Sequence, residues 1–117
     1  MRIVWIASLL FAVSCTAPDE PVTEPVPMPD ASPFVYPVQL WDRGVAGETL
    51  LMLHITERGQ VDSVRVVMSS GEAAFDSAAV LGAPKLRFVP GRRGERPIAM
   101  WTRVPVRFQI DSIRFGN

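Results

Sequence analysis

A run of alternating residues near the C-terminus limits the possible folds of this chain more than any other feature. From residue 103 to residue 110, every second side chain is apolar: Val104, Val106, Phe108 and Ile110. The side chains between them are basic or polar, or belong to proline: Arg103, Pro105, Arg107 and Gln109. This period of two predicts a β-strand with one buried face. Pro105 cannot donate to a sheet ladder, so it favours a strand at a sheet edge or a bulge.

The final strand is therefore predicted to lie at the edge of its sheet. An edge strand presents unpaired backbone N–H and C=O groups to a partner. We predict that residues 103–110 form such a partner-binding edge. The alternative is a strand that only completes a small sheet.

Two earlier runs predict a β-hairpin. Residues 47–56 place threonine or aliphatic side chains at every second position from Thr49, and residues 61–68 contain four valines. Gly59 lies between the runs, where a tight turn requires a positive φ. The first strand also carries Leu50 and Met52 on its other face, which favours a central position in the sheet.

Short helices are predicted before and after the hairpin. Residues 38–43 have the length of one or two helical turns, and Gly82 and Pro84 end an alanine-rich helical stretch at residues 73–81. The predicted order is α-β-β-α-β. This order indicates an α+β fold, in which a three-stranded antiparallel sheet carries one or two short helices packed on one face.

The N-terminus resembles a bacterial lipoprotein signal. Residues 3–13 are apolar and follow a positively charged start, but they are fewer than the roughly 20 that a membrane span needs. The segment Ala12-Val13-Ser14-Cys15 resembles a lipobox, with Ala12 where leucine is usual. The resemblance implies removal of residues 1–14 and lipidation of Cys15, on a membrane leaflet that faces the periplasm. An ordinary secretory signal cleaved near Ala17 is the alternative.

Residues 15–35 are predicted to be a disordered tether. Seven prolines lie between residues 16 and 37, together with four acidic and no basic residues. This composition favours extended polyproline II and lacks the apolar density of a core. The folded domain is accordingly predicted at residues 36–117.

Charge and composition argue against several classes of function. The net charge is zero, and from residue 38 onward eleven basic residues face eight acidic ones, too mild an excess to indicate nucleic-acid binding. One cysteine and one histidine, His54, provide neither a metal-ligand set nor a nucleophile with its base. We therefore expect no cofactor, no metal and no enzymatic activity.

An ordered set of short motifs resembles the C-terminal domain of TonB, the energy transducer of the Gram-negative envelope. The matching residues are Tyr36-Pro37, Gly47, Gly59 with Val61, Ser69-Ser70-Gly71, Phe75-Asp76, Ala78-Ala79, Leu86-Arg87-Phe88-Val89-Pro90-Gly91, Pro97 and Val104-Pro105-Val106-Arg107-Phe108. The resemblance implies the α+β fold described above. It also implies that the last strand pairs with the TonB box, a short segment of an outer-membrane receptor, by β-augmentation.

The resemblance assigns the pairing edge to the strand already singled out. Its residues are Arg103, Val104, Pro105, Val106, Arg107, Phe108, Gln109 and Ile110. A transducing TonB also has an N-terminal transmembrane helix that couples to a proton channel, and no such helix is expected after processing here. The resemblance therefore implies the binding module without the motor.

The predicted protein is a lipid-anchored module in the envelope of a Gram-negative bacterium, facing the periplasm. Its expected partner is a TonB-dependent outer-membrane receptor or another envelope protein. The alternative is a structural or adaptor lipoprotein that forms a homodimer through the same edge strand.

Overall fold

A computed structural model of the chain describes residues 20–29 and 31–116, so the predicted signal peptide and Cys15 lie outside the described residues. The elements in chain order are β1 (Val22–Thr23), β2 (Val26–Pro27), α1 (Val38–Asp42), β3 (Gly47–Ile55), β4 (Val61–Met68), α2 (Ala73–Gly82), a 3₁₀ turn (Ala83–Lys85), β5 (Phe88–Val89), β6 (Gly91–Arg93), β7 (Arg96–Ile98), β8 (Met100–Gln109) and β9 (Ser112–Phe115). No helix among them is long and apolar enough to cross a membrane.

The main sheet contains four antiparallel strands in the order β4-β3-β8-β9. The predicted hairpin is present as β3 and β4, and β3 is central as expected. Leu51 pairs with Val104 and Leu53 with Val64, so the apolar positions of three strands meet on one face. The α+β class and the order of the predicted helices and strands are confirmed.

Helix α2 covers this apolar face of the sheet. The buried core includes Phe34, Leu40, Leu51, Leu53, Ile55, Phe75, Ala79, Val104, Val106 and Phe108. The rings of Phe75 and Phe108 stack with their centroids 4.6 Å apart. Gly47 makes room for this stack, because a Cβ at that position would lie 2.9 Å from a Phe75 ring carbon. The core therefore joins α2 directly to β3 and β8.

The prediction that the last strand lies at the sheet edge is wrong for the second half of β8. After a turn that includes Ile110, the chain reverses and β9 pairs with residues 106–109. The physical reason is that Ile113 and Phe115 pack against the core, and the Phe115 ring lies 5.5 Å from that of Phe34. The sheet thus has four strands where three were predicted.

The structure also differs from the predicted tether over residues 20–29. β1 pairs with β6, β2 pairs with β5, and the Met28 N–H donates to the Arg87 carbonyl at 2.9 Å. Each pairing is only two residues long, so it requires few backbone donors and tolerates Pro27 within β2. Pro25, between the two strands, is buried. This part of the proline-rich segment is therefore packed on the domain.

Candidate partner-binding edge

The two lateral edges of β8 are covered to different extents. One edge pairs with β3 over residues 100–108. The other pairs with β9 over residues 106–109 only. At residues 100–104, no backbone group from the described part of the chain pairs with this second edge. We call residues 100–104 the free edge.

Two residues of the free edge direct their backbone groups outward. The Gly116 N–H donates to the Pro105 carbonyl at 3.2 Å, so the backbone groups of Pro105 face the β9 side. Alternate residues of a strand direct their N–H and C=O groups to the same side. Arg103 and Trp101 therefore also face that side, and both retain an N–H donor. Pro105 has none, and the pairing with β9 ends there.

A groove of about 390 Å³ runs beside the free edge. One wall consists of Glu24, Pro25 and Pro27 from the proline-rich segment. The opposite wall includes Trp101 and Arg103, and the full lining also contains Met52, Phe88, Thr102, Val104 and Gly116. The docked N-terminal segment thus makes a groove out of what would otherwise be an open sheet edge.

The sheet face away from α2 is basic and aromatic next to the groove. The Arg65 guanidinium carbon lies 4.8 Å from the centre of the Trp101 ring, within cation–π range. The His54 ring, on the neighbouring strand β3, lies 5.1 Å from the Trp101 ring, and the Nδ1 atom of His54 is 2.6 Å from Asp62 Oδ1. These contacts hold the Trp101 side chain against the sheet while leaving it 40% exposed.

The predicted site residues divide between the two faces of the sheet. Val104, Val106 and Phe108 are buried core residues and are not available to a partner's side chains. Arg103, Pro105, Arg107 and Gln109 lie on the outer face, where Arg107 Nε is 2.8 Å from Glu48 Oε2. Ile110 belongs to the turn before β9.

Several residues of the groove are missing from the sequence-based site. Trp101 continues the alternation of Arg103 and Pro105 in the N-terminal direction, so extending the pattern by one step would have found it. Glu24, Pro25 and Pro27 carry no such signal, because only the tertiary packing places them opposite β8.

Asp76 forms the most extensively hydrogen-bonded polar centre of the domain. It accepts hydrogen bonds from Thr49 Oγ1 at 2.8 Å, from Ser70 N and Oγ at 2.9 Å each, and from the Ser69 hydroxyl. Burial raises the pKa of this carboxyl, but the hydrogen bonds outweigh burial and lower it to about 2. A carboxylate with so low a pKa is a weak proton acceptor, so its role is to join α2 to β3.

Within residues 20–29 and 31–116, no three His, Cys, Asp or Glu side chains are grouped as metal ligands.

Together, these observations describe a small α+β domain in which a groove runs beside an unpaired stretch of sheet edge. The family described as "Gram-negative bacterial TonB protein C-terminal" matches residues 32–110. The match covers well over half of the chain, and the chain belongs to this family. The resemblance stated from the sequence is confirmed. The matched region ends at residue 110, before β9.

Individual relatives agree with the family match. Protein tonB2 of Pseudomonas aeruginosa is 36% identical over 76 residues, which are 65% of this chain but 28% of that protein. The chain thus spans 28% of that relative's length. The solution NMR structure of the Pseudomonas aeruginosa TonB CTD superposes with a TM-score of 0.61 at 27% identity, covering 79% of this chain and 92% of that one.

Proposed function

We propose that this protein is a periplasmic, lipid-anchored binding module of TonB-dependent transport. It recognises extended segments of outer-membrane receptors by adding them to β8 as a further strand. The observation that carries the proposal is the free edge, where Trp101 and Arg103 direct unpaired backbone groups into a groove. Membership in the TonB C-terminal family supports an outer-membrane receptor as the partner.

The proposed binding mode begins at the free edge and extends along β8. A short partner segment pairs with Trp101 and Arg103 without disturbing the fold. A longer one continues to residue 109 only by replacing β9, which has four residues and partly exposed side chains. Backbone hydrogen bonds then provide affinity, and the side chains of the outer face provide selectivity.

The proposed role covers binding and not energy coupling. The long apolar run in the sequence, residues 3–13, is shorter than the roughly 20 residues of a membrane-spanning helix. We propose that this run is a signal peptide and that lipid on Cys15 holds the mature chain to a membrane facing the periplasm. Residues 15–35 then connect the anchor to the domain, with residues 20–29 docked on it in the arrangement described above.

Replacing Cys15 by serine is expected to release the protein from membranes. The substitution removes the only thiol that lipid could modify. Fractionation of cells should move the protein from the membrane pellet to the soluble periplasmic extract, and metabolic labelling with a fatty acid should be lost. A variant Ser14→Ala keeps the thiol and should stay in the pellet. If the Cys15→Ser protein also stays there, the lipid anchor is wrong.

A pull-down tests the strand-addition proposal. The full chain in detergent micelles serves as bait for solubilised envelopes, and the captured proteins are identified by mass spectrometry. We expect outer-membrane receptors, competed away by the N-terminal peptide of a captured receptor. The same peptide N-methylated at alternate residues loses one row of backbone donors, so one of its two N-methylated forms should fail to compete and the other should succeed.

The outcome separates the two candidate functions. Equal competition by both N-methylated forms would mean that the receptor contacts side chains only, which contradicts strand addition. Capture of nothing except additional copies of the protein itself would favour the homodimer predicted as the alternative from the sequence.

A further inference from the structure

We propose that the groove beside the free edge selects partner segments that carry a carboxylate opposite Arg103. The inference rests on the proposed strand addition and names the chemistry of the segment that is added. Its occupant is an extended acidic peptide, bound between β8 and the proline-rich wall that contains Glu24.

The register of strand pairing brings a partner side chain to the Arg103 guanidinium. The backbone groups of Arg103 face the free edge, and its side chain lies on the outer face of the sheet. Residues directly opposite each other on paired strands direct their side chains to the same face. The partner residue opposite Arg103 therefore lies next to the guanidinium.

The surroundings of Arg103 favour an anionic side chain. Among residues 20–29 and 31–116, no carboxylate lies within ion-pair distance of Arg103 or of the neighbouring Arg65. The two nearby acidic residues on the outer face are engaged elsewhere, Glu48 with Arg107 and Asp62 with His54. Two guanidinium groups near Trp101 thus have no carboxylate partner among the described residues: Arg103, which lines the groove, and Arg65, which lies against the Trp101 ring.

The chain's own Glu24 lines the same groove. It lies between β1 and β2, whose pairings with β6 and β5 hold that part of the backbone in place. Glu24 reaches the groove wall without forming an ion pair with any arginine in the part of the chain that the structure describes. In the described part of the chain, Glu24 therefore leaves Arg103 without an ion-pair partner, and the guanidinium can pair with a carboxylate of the bound segment.

The test compares two peptides that differ by one charge. One is a short peptide of alternating valine and threonine with glutamate at its centre, and the other has glutamine there. Binding to the full chain in detergent micelles is measured by fluorescence anisotropy. The glutamate peptide should bind about two- to five-fold more tightly, the range for an opposite-charge cross-strand pair. The preference should shrink as salt is raised, because both groups are exposed.

Three variants assign the preference to Arg103. Arg103→Gln should abolish the preference for glutamate while both peptides still bind, and Arg103→Lys should retain it. Arg114→Gln is the matched control, since Arg114 is exposed on the same sheet face but does not line the groove. It should leave the preference intact. Thermal melting of each variant verifies that the domain is folded.

The experiment distinguishes failure of the acidic selectivity from failure of strand addition. Equal binding of both peptides to the unmodified chain, or an unchanged preference in Arg103→Gln, overturns the acidic selectivity and leaves strand addition standing. If neither peptide binds to the folded chain, both the selectivity and the strand addition on which it rests are wrong.

Discussion

Replacing Gly59 by alanine is expected to lower the free energy of unfolding by about 3 kcal/mol or more. Gly59 has a φ of +78° in the turn between β3 and β4, a conformation that costs an L-residue energy. A Cβ at this position would also lie 1.9 Å from the Phe88 carbonyl oxygen, so the turn or β5 must shift. A shift would also disturb the hydrogen bond that the Phe88 N–H donates to the Gly59 carbonyl at 2.9 Å.

Gly44→Ala is the matched control for Gly59→Ala. Gly44 has a φ of +65°, but a Cβ there would meet nothing within 4 Å. Its substitution should cost only the backbone strain, about 1–2 kcal/mol. Urea denaturation followed by circular dichroism gives both values. Equal losses in the two variants would mean that the Phe88 backbone moves away without cost, which would contradict a destabilising clash between the Cβ introduced at position 59 and the Phe88 carbonyl oxygen.

Replacing Asp76 by asparagine is expected to destabilise the domain by about 2 kcal/mol at neutral pH. The carboxyl has a pKa of about 2 in the folded protein against an ordinary value of 3.8. A lowered pKa means that the ionised form is stabilised by folding. That stability is fully present above pH 3.8 and is lost as the pH falls through about 2.

The pH dependence distinguishes this mechanism from a loss of packing. The difference in unfolding free energy between the unmodified chain and Asp76→Asn should be constant above about pH 4 and should shrink as the pH approaches 2. Asp42→Asn, at the exposed end of α1, is the control and should stay within about 0.5 kcal/mol of the unmodified chain. A difference for Asp76→Asn that persists undiminished near pH 2 would falsify the assignment to the ionised carboxylate.

The elements with strong local signals were predictable from the sequence. The alternation in β8 and β3, the glycine turn at Gly59 and the alanine-rich stretch of α2 each specify their structure within a few residues. β9 also alternates, with Ile113 and Phe115 on one face, but a four-residue strand has no stability of its own. It forms because β8 and the core beneath it supply partners for its backbone and side chains.

The candidate site was likewise only partly predictable from the sequence. The sequence identified β8 as the strand with a basic outer face and an interrupted row of donors at Pro105. It could not assign the covered half, because that depends on where the chain after residue 110 returns. It also assigned Val104, Val106 and Phe108 to a binding strand without separating the buried side chains from the exposed backbone. In the structure, the partner-accessible part is confined to residues 100–104 and the outer-face side chains.

The sequence by itself determined the α+β class, the order of its main elements and the membership of its family, because periodicity, glycine turns and helix-ending residues act over short distances along the chain. Only the tertiary structure decided which edge of β8 is free and which segment forms the opposite wall of the groove. Residues 20–29 read as a tether by composition, since their prolines favour extended backbone and oppose a core. The same extended backbone pairs with β5 and β6, which lie far along the chain, and composition carries no information about a partner so distant in sequence.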